Sequence, residues 1–209
     1  MMYDLLIIAA LQTAVLAGAD VLRRLNVSVL ATRKCAHMAA GLLAAGLPFF
    51  VEREAALLCG ALGTAIWYGY LPAIGSRGTF DFGAIAFPLG LTVSAFLFWH
   101  PGSFTSYQYA ALMLALPDAV AGWVGVRYAA YTLHTSSGKT LIGSFAFFTT
   151  AFFVSALFLH VILDQGIFLA CLRACMVAII LTCVEALSTR GSDNVSVPLS
   201  AGAIASAFF

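Results

Sequence analysis

Apolar residues run along this chain in long blocks separated by short polar joins. Each block approaches the ~20 residues that a helix needs to cross a hydrocarbon core, and none alternates in the manner of an outer-membrane barrel strand. Hydropathy places spans near residues 2–22, 36–51, 55–73, 82–99, 106–126, 141–163 and 167–187, followed by an apolar tail at 195–209 that is short for a crossing. Pro and Gly punctuate the joins at Leu71-Pro72, His100-Pro101-Gly102 and Asp164-Gln165-Gly166. The expectation is an all-α polytopic integral membrane protein of about seven transmembrane helices plus a short C-terminal helix. No repeat or low-complexity tract divides it, so residues 1–209 are expected to form a single transmembrane domain.

Composition agrees with the pattern. Hydrophobic residues make up 62% of the chain and charged ones 9%, against roughly a quarter charged in a soluble domain; the mean hydropathy is +1.00. The first apolar run lacks a basic start, has the length of a full span and is followed by arginines, so it is expected to be a span and not a signal peptide. The five cysteines fall mostly within expected helices and are taken as packing residues. A net charge of +1 gives no reason to expect nucleic acid as a partner.

The placement of the charges is more informative than their sum. Under strict alternation, one set of loops holds Arg23, Arg24, Arg33, Lys34, Arg77, Arg127, Lys139 and Arg190, eight of the ten Lys and Arg residues, while the other holds only Arg53. The tenth, Arg173, falls within the seventh span. Basic loops mark the cytoplasmic side, which puts the N-terminus outside and four polar clusters on the cytosolic face.

The first cluster is Arg33-Lys34-x-x-His37, at the expected entrance to the second span. An Arg fork beside a Lys point charge suits a polyphosphate, although the same residues also serve as a basic flank. The second is Asp118 with Gly122 and Gly125, four and seven residues later on one helical stripe. An acid within a span is expensive and points to function; the glycines fit either helix packing or close approach of a ligand.

The third is Ser136-Ser-Gly-Lys139-Thr140-Leu-Ile-Gly143-Ser144. Its Gly-Lys-Thr core resembles the end of a P-loop, but the glycine five positions earlier and the leading strand are missing. A helix start with a lysine and the hydroxyls of Ser136, Ser137, Thr140 and Ser144 is nevertheless a plausible phosphate cradle. The fourth cluster is Glu185, followed by Asp193-Asn194 and Pro198. Glu185, Asp193 and Asn194 offer hard oxygen ligands suited to Mg²⁺; with Asp118 they put three acids opposite a basic wall.

In this order and spacing, Arg33-Lys34-x-x-His37, Asp118 with Gly122 and Gly125, Lys139-Thr140-x-x-Gly143-Ser144, and Glu185 with Asp193-Asn194 and Pro198 resemble the CTP-dependent polyprenol and lipid-alcohol kinases. That family includes dolichol kinase, phytol and farnesol kinases and the CTP-using diacylglycerol kinase. The resemblance covers about residues 30 to 200, and Phe82-Gly83 and Phe87-Pro88-Leu89-Gly90 are similar to the fourth span of the phytol and farnesol kinase branch. Two positions depart from the pattern: Ile142 stands where many relatives carry a glutamate, and the arginine tract after the aspartate motif is reduced to Arg127.

The resemblance implies transfer of the γ-phosphoryl group of CTP to the hydroxyl of a lipid alcohol such as phytol, farnesol, geranylgeraniol or another polyprenol held in the bilayer. It implies Mg²⁺ as cofactor, with Asp118, Glu185 and Asp193 as metal ligands or base. Asp118, Lys139 and Asp193 would be catalytic. Arg33, Lys34, His37, Gly122, Gly125, Lys139, Thr140, Gly143, Ser144 and Asn194 would line the nucleotide. The expected setting is a prokaryotic plasma membrane with a cytosolic active site. Two alternatives stay open: a cytidylyltransferase of the CDP-diacylglycerol synthase type, and a non-enzymatic membrane transporter.

Overall fold

The computed structural model of the chain describes residues 1–74, 82–129, 138–189 and 191–209. Among these residues the chain is helical, with an isolated bridge between His100 and Ser103. The helices are α1 (Met2–Arg24), α2 (Val29–Gly46), α3 (Arg53–Ile74), α4 (Phe82–Phe98), α5 (Thr105–Ala115), α6 (Pro117–Arg127), α7 (Leu141–Leu157), α8 (Ile167–Leu187) and α9 (Asp193–Phe208). A 3₁₀ turn, Leu47–Phe49, extends α2, and a π turn, Phe158–Ile162, extends α7. Among the described residues, four segments are long and apolar enough to cross a membrane: Met2–Arg24, Thr105–Arg127, Leu141–Ile162 and Ile167–Leu187. Large apolar side chains such as Leu16, Phe145, Phe153, Leu172 and Ile179 stand exposed on their outer faces, which fits an integral membrane protein.

Three boundaries differ from the hydropathy pattern in ways that matter for the site. The second helix begins at Val29, where the Ser28 hydroxyl accepts from the Ala31 N–H. Arg33 and Lys34 therefore lie inside the helix and not at its entrance. The fifth apolar block is divided at Leu116: Pro117 has no N–H to continue the helical ladder, and it opens α6 at the position a helix start tolerates. The C-terminal tail starts at Asp193 and is a core element, with Val197, Pro198 and Ala201 fully buried.

The core is built around α5 and α9. Tyr107, Tyr109, Ala110, Met113 and Leu114 of α5 are buried on all sides, the pattern of a helix inside a bundle. Tyr109, Phe147, Leu181 and Val197 bring α5, α7, α8 and α9 into one apolar cluster. The Tyr109 hydroxyl is satisfied by Ser155 Oγ at 2.6 Å, which in turn donates to the Ala151 carbonyl. Helix α1 lies at the periphery against α2 and α3, with Ile8 its one buried residue.

Arg53, the lone basic residue assigned to the opposite loops, has a structural place. Its Nη2 donates to the Phe96 carbonyl at 2.6 Å, and its guanidinium lies 5.6 Å from the Phe96 ring centroid. It thereby covers the carbonyl end of α4, where positive charge is favoured.

Candidate functional site

The break at Leu116 sets up the first part of the site. Asp118 falls in the first turn of α6, where the helix dipole favours a carboxylate, and it is buried. From α2, Lys34 Nζ reaches Asp118 Oδ2 at 3.0 Å and the Asp118 carbonyl at 3.3 Å. His37, one turn further along α2, places Nε2 3.0 Å from the Leu114 carbonyl and 3.3 Å from Asp118 Oδ2. Both partners are acceptors, so Nε2 carries the hydrogen.

Gly122 makes this approach possible. A Cβ there would lie 2.5 Å from Lys34 Nζ and collide with Lys34 Cε, so the lysine stem lies along the bare flank of α6 to reach the acid one turn away. The sequence left Gly122 between helix packing and ligand approach. In the structure the space is filled by a side chain of the protein itself.

The second part gathers at the start of α7. The Thr140 hydroxyl caps the helix by accepting from the Gly143 N–H at 3.1 Å. Gly143 and Gly125 face each other where α7 crosses α6: a Cβ on Gly125 would lie 2.7 Å from Thr140 Oγ1, and one on Gly143 3.1 Å from the Ala121 carbonyl. These two glycines therefore serve a close helix crossing. Next to the cap, Lys139 Nζ binds Glu185 Oε1 at 2.8 Å and also Asp193 Oδ2. Glu185 sits in the last turn of α8 and Asp193 in the first turn of α9.

Each of these two carboxylates is also anchored by its other oxygen. Ser144 Oγ donates to Glu185 Oε2 at 3.0 Å, and the Asn194 N–H donates to Asp193 Oδ1 at 3.1 Å. Burial alone would lower the Lys139 pKa, but the carboxylates of Asp193 and Glu185 outweigh it and hold the ammonium above the ordinary lysine range.

The two parts share one electrostatic field. Lys139 acts on the Asp118 carboxylate and Asp193 on the His37 ring, although each lysine makes its ion pairs with its own acids. Arg33 is exposed on α2, next to Lys34 in the sequence. Ser136, Ser137, Arg77 and Arg190 lie outside the described residues.

The three acids do not form one ligand set. Among the described residues, no three His, Cys, Asp or Glu side chains are gathered to hold a metal ion. Asp118 belongs to Lys34, while Glu185 and Asp193 converge on the single cation of Lys139. Two carboxylates aimed at one point fit Mg²⁺, which takes one or two protein carboxylates and completes its shell with water and substrate phosphates.

A further set of residues positions the acids through α4. The Asn194 amide donates to the Gly83 carbonyl at 2.9 Å, which commits to helix α4 a side chain expected to line the nucleotide. Gly191, with φ +83°, packs so closely on Gly83 that a Cβ would lie 2.6 Å from the Gly83 Cα. Pro198 has no N–H to occupy the Asn194 carbonyl, and that carbonyl abuts Gly90 so tightly that no Cβ fits there. Phe87, on the same helix, lies with its ring centroid 4.3 Å from that of His37. The glycine-containing α4 motif was visible in the sequence, but its partners on α9 and α2 were not.

No protein-family model matches the chain, and no solved structure matches it. Among curated proteins it is 33% identical over 128 residues to an uncharacterized protein of Rickettsia prowazekii (strain Madrid E), a match covering 60% of this chain and 58% of that protein. It is 30% identical over 125 residues to "Probable phytol kinase 1, chloroplastic" of Oryza sativa subsp. japonica, covering 56% of this chain and 39% of that protein. The chain thus spans about half the length of the curated relatives it matches.

Proposed function

We propose that this chain is a membrane kinase that transfers the γ-phosphoryl group of CTP to the hydroxyl of a lipid alcohol. The observation that carries the proposal is the convergence of Lys139, Glu185 and Asp193 from three helix ends, together with the part-buried Lys34–Asp118 pair. Similarity to a protein named as a phytol kinase supports the acceptor class. Seven spans and a cytosolic site complete the proposal, resting on the hydropathy blocks and on the basic residues that flank the site, and the proposed setting is a prokaryotic plasma membrane.

Phosphoryl transfer asks a protein mainly for positioning and charge neutralisation. Lys34, Lys139 and Arg33 would contact the nucleotide phosphates, with Thr140 and Gly143 shaping the helix start beneath them. Glu185 and Asp193 would hold Mg²⁺, which when bound supplies neutralisation of the charge on the phosphates. Asp118 is set apart from that pair and oriented by Lys34 and His37, which suits it to accept the proton of the attacking hydroxyl. The acceptor oxygen bonds to the γ-phosphorus, the bond from that phosphorus to the β–γ bridging oxygen breaks, and CDP leaves. The isoprenoid tail stays in the bilayer against the exposed apolar faces of the helices.

Incubating purified protein with γ-labelled CTP, Mg²⁺ and a panel of isoprenoid alcohols and diacylglycerol tests the proposal. The expected result is label in a lipid phosphate. A folded protein that labels none of the panel would sink it.

A further inference from the structure

We propose that the Lys139 ammonium is an internal occupant of the Glu185–Asp193 acid pair. It keeps a divalent cation out until a phosphate-bearing ligand draws the lysine away, so that cation and phosphate bind as a coupled pair. The inference rests on the phosphate-binding role given to this site above.

The geometry separates the fixed parts from the movable one. Each carboxylate has one oxygen tied to the scaffold, by Ser144 Oγ and by the Asn194 N–H, and the other turned to Lys139. The acid side chains are 3% and 8% exposed, whereas that of Lys139 is 25% exposed. The acids are therefore held in place while the lysine approaches them from the open side, on a flexible stem just before the α7 cap. Withdrawing the lysine alone would leave two buried carboxylates facing each other without a counter-charge, which is costly. Inserting a divalent cation alone would force it against the ammonium that already lies between the two carboxylates. A phosphate group resolves both problems, because it takes the lysine as the cation takes the acids. By linkage, each ligand then strengthens the other by the same factor.

Equilibrium Mn²⁺ binding to the full chain in detergent, followed by electron paramagnetic resonance without nucleotide or lipid, tests this. Lys139→Gln is expected to bind Mn²⁺ at least about tenfold more tightly than the wild type, within the usual range of such couplings. Lys139→Arg should behave as the wild type, and adding Glu185→Gln to Lys139→Gln should abolish the gain. A folded Lys139→Gln protein that binds Mn²⁺ no better than the wild type would overturn the inference, while the transfer assay would still judge the kinase role separately. A second measurement needs no variant. In the wild type, Mg²⁺ with CTP should raise Tm by more than the sum of the shifts from each alone, and a full shift from Mg²⁺ alone would contradict the coupling.

Discussion

Lys34 and Asp118, 84 residues apart, meet at 3.0 Å across the bare flank of Gly122. Removing only the acid leaves a largely buried ammonium without its counter-ion, and breaking such a pair costs about 3–5 kcal/mol. Asp118→Ala should therefore lower stability by an amount toward the bottom of that range, since Lys34 keeps some exposure, and should cut transfer at least about a hundredfold if the carboxylate is the base. Lys34→Met combined with Asp118→Leu should recover much of the stability and none of the activity. Thermal unfolding in detergent and the transfer assay, run on both variants, separate the two roles. Transfer within a fewfold of wild type in Asp118→Ala would remove this residue from the chemistry.

Gly122→Ala tests the same contact from the other side. The added methyl occupies the path of the Lys34 stem, whose flexible end can move aside, so the fold should survive with a small drop in Tm. Transfer should nevertheless fall about tenfold or more, because an ångström of misplacement in a positioned group is expensive. Unchanged activity would show that Lys34 need not lie along this flank.

Ser144 Oγ holds Glu185 Oε2 at 3.0 Å in a buried setting. Hydrogen bonds to charged groups contribute about 1.5–3 kcal/mol, so Ser144→Ala should lose a stability of that order. Denaturation of the purified variant measures it, and a loss well below 1 kcal/mol would argue against the anchoring role.

Lys139 also gives a prediction in pH. Its pKa in the folded protein lies above the ordinary lysine value, so folding strengthens proton binding at this group. The resulting stabilisation is complete below the unfolded value of about 10.4 and is lost as pH rises through the folded value. The Tm difference between wild type and Lys139→Gln should therefore stay constant from about pH 7 to 10 and shrink above that. Shrinkage already between about pH 7 and 9 would contradict the assignment.

The helices were legible in the sequence because long apolar blocks leave few alternatives once the backbone must satisfy itself. Candidate residues were legible too, since Asp118 in an apolar run and Lys139 before one stand out against so few charges. Their pairing was not. Either lysine is chemically suited to any of the three acids, and only the packing of α2 on α6, and of α7 with α8 and α9, assigns Lys34 to Asp118 and Lys139 to Glu185 and Asp193. The tail from Asp193 is the short C-terminal helix expected from hydropathy, but its place in the core was not legible, for a related reason. Length and hydropathy describe a helix alone, whereas its place between α4, α5 and α8 depends on small surfaces, Gly90 against the Asn194 carbonyl and Gly83 against Gly191, that hydropathy does not register. Asn194 illustrates the same limit: its amide could have faced a ligand, and it holds the Gly83 carbonyl instead.

The most direct test of the central proposal follows the two ends of CTP in a single turnover. Purified protein, in excess over CTP labelled at the γ-phosphate and separately in the cytosine, is mixed with Mg²⁺ and an isoprenoid alcohol, and the lipid and nucleotide products are separated. A lipid-alcohol kinase puts the γ-label in the lipid and the cytosine label in CDP in equal amounts. Release of pyrophosphate with the cytosine label in the lipid, or no label in any lipid, would contradict it.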